Sequence, residues 1–315
     1  MKLALVCLTA ASCSEAIKVT VFGGTGFVGS RVCKVLVSKG AEVTSVSRSG
    51  RCPDWAAEEP WTKDVTWAKA DLGADAAAID TAIGSPAAVV SCVGAVDLDL
   101  EVLKRGNGAA NVNAFAAAKR AGVGRSVYVS VASEVVACEE NWLPFAKEQF
   151  SAYFASKRAA EEAAADAVGG DATKFCVVKP TFIYGGDAFG LKPPRVTAAY
   201  GSGVEELLSL GPIQALADAT PGLIKVALRP PVSVEAVATA CAFAALGQLT
   251  EGDATRRAVG SLDGTVAIKA AAGELTPTAL GDGLNRGLDG LGDKIADQTE
   301  KLIAAFNEKM DKMGK

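Results

Sequence analysis

The stretch VTVFGGTGFVGSRV, residues 19–32, decides the fold. It begins as an apolar run, ends as the start of an amphipathic helix, and spaces Gly23, Gly26 and Gly29 as G-x-x-G-x-x-G across the junction. The first glycine permits a tight turn after a strand. The second lets backbone approach an anion with no Cβ in the way, and the third lets the helix pack closely on the strands. At such a junction the free N–H groups and the dipole of the helix favour phosphate. A glycine triplet alone is a weak signal; its place between a strand and a helix, in the first βαβ unit, gives it weight. Gly23, Thr25, Gly26, Phe27, Val28 and Gly29 are therefore the expected contacts of a dinucleotide pyrophosphate.

Outward from this turn the chain repeats strand, turn, helix. The helix beginning at Gly26 carries Val28, Val32, Val35 and Leu36 on one face and stops at Gly40. AEVTSVSR, VTWAKADL, AAVVSCVGA, RSVYVSVAS and KFCVVKPTFIYG read as strands two to six, and NVNAFAAAKRAGV as a helix before the fifth. Strands alternating with helices predict an α/β fold, a doubly wound parallel sheet of the Rossmann kind, residues 17–186. Uninterrupted apolar runs suit strands covered on both faces. After Gly186 the alternation breaks, and residues 187–275 are expected to form a smaller substrate or cap region with a helix from about Val234. From 276 to 315, leucines and other apolar residues recur at helical spacing, as in an amphipathic tail able to dock on a protein partner.

The end of the second strand distinguishes the two nicotinamide dinucleotides. An acid there would bind a ribose 2′-hydroxyl, whereas this chain has Ser47 and Arg48, with Arg51 nearby. A guanidinium suits a 2′-phosphate, so NADP(H) is favoured over NAD(H). Asp71 and Leu72 end the third strand and would flank an adenine, although Asp71 is equally a candidate helix N-cap.

Composition removes other chemistries. The chain has no histidine, which excludes Ser-His-Asp and Cys-His hydrolases and nearly every zinc enzyme. Its eight cysteines form no C-x-x-C pair and read as buried small residues in a reducing compartment. No metal site is expected. A net charge of −4 argues against nucleic acid as a partner. Residues 1–16, MKLALVCLTAASCSEA, resemble a targeting segment too short to span a membrane.

SAYFASK, residues 151–157, places Tyr153 four residues before Lys157. Such a pair shares a helix face, and an ammonium beside a phenol favours the phenolate. Together with GGTGFVG, ADL, SCVGA, VYVS and VVKPTFIYG, in that order over about residues 17 to 190, it makes the chain resemble the short-chain dehydrogenase/reductase superfamily, in its extended, epimerase-like branch. The chain is most similar to plant chloroplast members and to the nucleotide-binding accessory subunit of respiratory complex I. The resemblance implies Tyr153 as acid/base, Lys157 as the group that lowers its pKa and binds the nicotinamide ribose, and Ser130 as the carbonyl-polarising serine, with Ser133 as the alternative. It implies Asn111 or Asn113 as holder of a relay water, and Cys92, Val93, Gly94, Pro180 and Thr181 against the cofactor, with Tyr184 further along. Where many members have Asn-Ala-Ala-Gly this chain has SCVGA, and Arg195 and Arg229 are its obvious anchors for an anionic substrate. Two functions follow: hydride transfer to or from a carbonyl or alcohol of a lipophilic small molecule, or a non-catalytic nucleotide-binding accessory subunit of a larger complex. An epimerase is a third. NADPH and free thiols point to an organelle, a plastid before a mitochondrion.

Overall fold

The computed structural model describes residues 16–139, 146–186, 190–191, 194–249 and 260–274, the backbone alone at 190–191 and 194–195. The expected leading segment up to residue 15, the tail from 276 and the side chain of Arg195 lie outside the described residues. Seven parallel strands form the central sheet: β1 (Lys18–Phe22), β2 (Glu42–Ser47), β3 (Val65–Lys69), β4 (Ala88–Ser91), β5 (Arg125–Val129), β6 (Phe175–Lys179) and, as an edge strand, Ser261–Asp263. Their order is the last strand, then 6-5-4-1-2-3, so the winding reverses between β1 and β4. A doubly wound sheet opens its ligand crevice at that reversal, beyond the carboxyl ends of the strands. The six strands expected from sequence are all present, and the α/β expectation holds.

Alternation along β1 shows how the core is divided. Val19 and Val21 point into a layer with Val32 and Leu36 of α1 (Phe27–Ser38). Phe22 points the other way, into a layer with Ile79 of α2 (Ala76–Ile83), Phe115 of α4 (Ala110–Arg120) and Ala160 of α6 (Lys147–Asp166). A four-residue helix, α3 (Leu100–Leu103), precedes α4, and another, α5 (Ser133–Val136), follows β5.

The chain after Gly186 returns to this frame. Ile183–Tyr184 (β7) pairs in parallel with Val232–Ser233 (β10), and Gly190–Leu191 (β8) pairs antiparallel with Pro194–Arg195 (β9). Between them lie α7 (Ala198–Leu208), α8 (Gly211–Ala219) and α9 (Gly222–Ala227). The sequence singles out a helix in this region from about Val234, and these three precede it. Thr197, whose hydroxyl accepts from the Tyr200 N–H, caps α7. From Val234, α10 (Val234–Leu246) packs beside α1 in the first core layer. Its alanines are buried nearly all round, as expected of a helix with core on several sides. Ser261–Asp263, hereafter β11, then pairs with β6, and α11 (Gly264–Ala271) follows.

Candidate functional site: a dinucleotide crevice with a Tyr–Lys pair

The glycine turn is built by backbone packing. Gly23 has φ +76° and donates its N–H to the Val46 carbonyl at 2.8 Å, which ties the end of β1 to β2. A Cβ on Gly29 would stand 2.3 Å from the Gly23 carbonyl oxygen, so only glycine lets α1 start this close to the turn. Gly24, not singled out from sequence, is equally constrained: its Cβ would meet the Ser45 hydroxyl at 2.3 Å. The Gly-Gly dipeptide was the available signal. Exposed Gly26 is the N-cap of α1, with no side chain bonded to the helix start and no acid in the first turn. A helix whose leading N–H groups have no side-chain cap, under bare glycine backbone, fits a pyrophosphate. Thr25, Phe27 and Val28 are half-buried around it.

From this turn a series of close approaches leads to α6. A Cβ on Gly23 would touch Val93 at 3.1 Å and Cys92 at 3.4 Å, just past β4. One on Gly94 would lie 3.6 Å from Lys157 Nζ. Lys157 is buried, its Nζ donates to the Val129 carbonyl at 3.1 Å, and it sits 5.0 Å from the ring centre of Tyr128 and 5.7 Å from that of Tyr153. The structure thus brings together the glycine turn, the β4 end and the Tyr153–Lys157 pair. Burial lowers the Lys157 pKa to about 8, against the opposing pull of Glu161. Burial also pushes the Cys92 thiol up to about 12, so it is inert packing.

Tyr153 departs from expectation. The lysine should draw its pKa down, yet burial raises the phenol to about 12. The Lys157 ammonium approaches the ring and spends a hydrogen bond on the Val129 carbonyl, so it compensates little of the desolvation. Tyr153 is therefore protonated at neutral pH and suited to donating a proton.

Ser130, buried where β5 ends, donates to Glu161 Oε1 at 2.5 Å, and Glu161 Oε2 pairs with Lys179 at 2.8 Å. Glu161 was missed in the sequence, although Tyr153, Lys157 and Glu161 recur every four residues along one face of α6. Ser133, the alternative, is exposed at the start of α5, where its backbone N–H donates to Asp263 at 3.1 Å.

The asparagines brace the loop after β4 and the end of β3. Asn111 accepts from the Ser91 hydroxyl at 2.5 Å and donates to the carbonyls of Asn107 (2.8 Å) and Val93 (3.2 Å). Asn113 donates to the Leu72 carbonyl at 2.8 Å. Asn107, also missed, clamps Ala95 through both its N–H and its carbonyl, from a π-helical segment, Lys104–Ala109, that precedes α4. Widened helical turns of this kind gather at functional sites.

Arg48 is exposed just past β2, and Arg51 is exposed beside it. Asp71 caps no helix: it pairs with Arg105 at 2.6 Å and accepts the Gly73 N–H, while Asp75 is the N-cap of α2. Leu72 is buried in the second core layer. Pro180 is buried, its carbonyl accepting from the Ala132 N–H, and the Thr181 hydroxyl donates to the Pro230 carbonyl at 2.9 Å. Tyr184 lies outside the crevice. Its hydroxyl donates to Glu205 at 2.7 Å, which also pairs with Lys269. Arg229 is tied twice to Glu134, at 2.6 and 2.8 Å, and to Asp218 at 2.7 Å, so the expected anion anchor is already engaged. Among the described residues no group of acids and cysteines is placed to hold a metal ion, and no helix is long and apolar enough to cross a membrane.

Comparisons with known proteins bear on the fold and the family. An uncharacterized chloroplastic protein of Arabidopsis thaliana is 40% identical over 168 residues, 53% of this chain and 51% of that protein. MIOREX complex component 2 of Saccharomyces cerevisiae is 44% identical over 57 residues, 18% of this chain and 21% of that one. The chain thus spans about half the length of the first curated relative and a fifth of the second. Among solved structures, the UDP-Glc/GlcNAc 4-epimerase of Campylobacter jejuni shares the fold, with TM-score 0.53 at 16% identity over 82% of this chain and 84% of that one. A family model matches residues 19–259, from β1 past α10, and on that match the chain belongs to the NAD dependent epimerase/dehydratase family.

Proposed function

We propose that the chain is an NADP(H)-dependent oxidoreductase acting on a carbonyl or alcohol of a small, lipophilic molecule. The observation that carries this reading is the buried Lys157 ammonium beside Tyr153, linked to the glycine turn through the end of β4 at Val93 and Gly94. The cofactor supplies hydride chemistry when bound. Gly23, Gly26, Gly29 and the start of α1 hold its phosphates, exposed Arg48 meets a 2′-phosphate, and Lys157 holds the nicotinamide ribose. Tyr153, protonated at neutral pH, gives its proton to the substrate oxygen as the carbonyl is reduced. Exposed Phe182 and Val266, beside Thr181 and at the start of α11, support a substrate with apolar surface. An organelle is the proposed location, a plastid on the strength of the relative named chloroplastic.

The second reading is a nucleotide-binding subunit without turnover, acting inside a larger assembly. The Ser130 hydroxyl favours it, being committed to Glu161 instead of open to a substrate carbonyl. One assay separates the two. The full chain is given NADPH with a panel of aldehydes, ketones and quinones, and absorbance is followed at 340 nm beside Tyr153→Phe. Substrate-dependent oxidation that the substitution abolishes supports the enzyme; tight NADPH binding with no oxidation on any substrate supports the subunit.

A further inference from the structure

A cavity of about 350 Å³ opens past the ends of β5 and β6, beside Ala132 and Thr181. This is near the small end of the usual range for ligand pockets. Among the described residues its ionisable lining is Glu134, Arg229 and Asp263. Glu134 is held ionised, its pKa lowered chiefly by the hydrogen bonds from Arg229. The guanidinium in turn donates to Glu134, to Asp218 and to the Gln214 side-chain carbonyl at 2.7 Å, and Lys225 pairs with Glu134 at 3.5 Å. An entering anion would meet two carboxylates and a guanidinium with four of its five N–H groups already engaged.

The neutral groups point the same way. The hydroxyls of Thr181 and Thr265 both donate to the Pro230 carbonyl, at 2.9 and 2.6 Å, so they present lone pairs to the cavity. With Glu134 and Asp263, the lining is rich in acceptors, which calls for a ligand that donates. We propose, resting on the oxidoreductase reading, that this cavity is the substrate pocket and takes a hydroxyl-bearing molecule without an anionic group, rejecting phosphorylated or carboxylated substrates such as nucleoside-diphosphate sugars. Electrostatic mismatch of this kind sets selectivity, each tenfold corresponding to about 1.4 kcal/mol.

Three probes of one shape and different charge test it: 4-(aminomethyl)benzyl alcohol, benzyl alcohol and 4-(hydroxymethyl)benzoate. Ligand-observed NMR on the full chain, with and without saturating NADPH, gives their affinities. The expected order is cation at least equal to neutral, and benzoate weaker by about tenfold or more. In Glu134→Gln/Asp263→Asn, with folding checked by melting temperature, the benzoate gains about tenfold while benzyl alcohol changes little. Should that variant not fold, Val266→Trp, which fills the cavity from an exposed position, is expected to lose all three probes. Benzoate binding as tightly as benzyl alcohol, probe binding indifferent to Val266→Trp, or no binding of any probe overturns the proposal. Failure of NADPH to bind, with the charge ranking intact, counts against the oxidoreductase reading and leaves the pocket's selectivity standing.

Discussion

The two halves of the crevice are built from different materials. The cofactor half is backbone: glycines packed so tightly that a Cβ on Gly29 would stand 2.3 Å from the Gly23 carbonyl oxygen. The substrate half is side chain: Arg229 held by Glu134, 95 residues away in sequence, and by Asp218, 11 residues away. Backbone fit tolerates no added atom, whereas a side-chain network can be re-cut one charge at a time. On the proposed reading the first half serves the cofactor, and the second is where this chain would set its own selectivity.

Changes to the cofactor half should be the most damaging. Gly29→Val is expected to destabilise the fold by about 1–3 kcal/mol, because helix and turn must separate, and to abolish NADPH binding, measured by denaturation and titration. Tyr153→Phe should lower turnover about 100-fold or more while NADPH affinity stays within about threefold, since a phenol that only donates a proton adds little to binding.

Lys157 joins the two halves and makes them pH-sensitive. Its pKa of about 8 in the folded chain lies below the ordinary value of 10.5. Across that window the unfolded chain binds more protons, so this group makes stability rise with pH. NADPH affinity should fall over the same window as the ammonium is lost. Lys157→Met should flatten both profiles, which melting and titration between pH 7 and 10 would show.

Smaller effects are expected at the margins. Arg48→Asp should move preference from NADPH towards NADH by about tenfold, read as a ratio of dissociation constants. Unchanged NADPH affinity would remove Arg48 from the account. Outside the crevice, Tyr184→Phe should cost about 1–3 kcal/mol of stability, because it strips a hydrogen bond from buried, charged Glu205, with cofactor affinity unmoved.

The same contrast explains what the sequence revealed. The glycine turn, the six strands and the Tyr153–Lys157 pair are local patterns, each complete within a few residues. Strand β11 is three residues long and carries Ser261 and Asp263 around Leu262, so periodicity has nothing to detect. Ser130 was found where β5 ends, but its commitment to Glu161 depends on how α6 crosses β5, which spacing does not encode. The phenol of Tyr153 was misjudged for a related reason: the i, i+4 rule places the lysine nearby but says nothing of the desolvation that outweighs it. Arg229 read as a free anchor because its partners on α5 and α8 lie 95 and 11 residues away.

The central claim is that the glycine turn and the α6 pair form one nicotinamide-dinucleotide site. Calorimetric titration of NADPH into the full chain, Gly29→Val and Lys157→Met tests it most directly. The account predicts one site per chain, with affinity lost in the glycine variant and reduced about tenfold or more in the lysine variant although the chain stays folded. A wild-type chain that does not bind NADPH or NADH, or a folded Lys157→Met that binds as tightly as wild type, would contradict it.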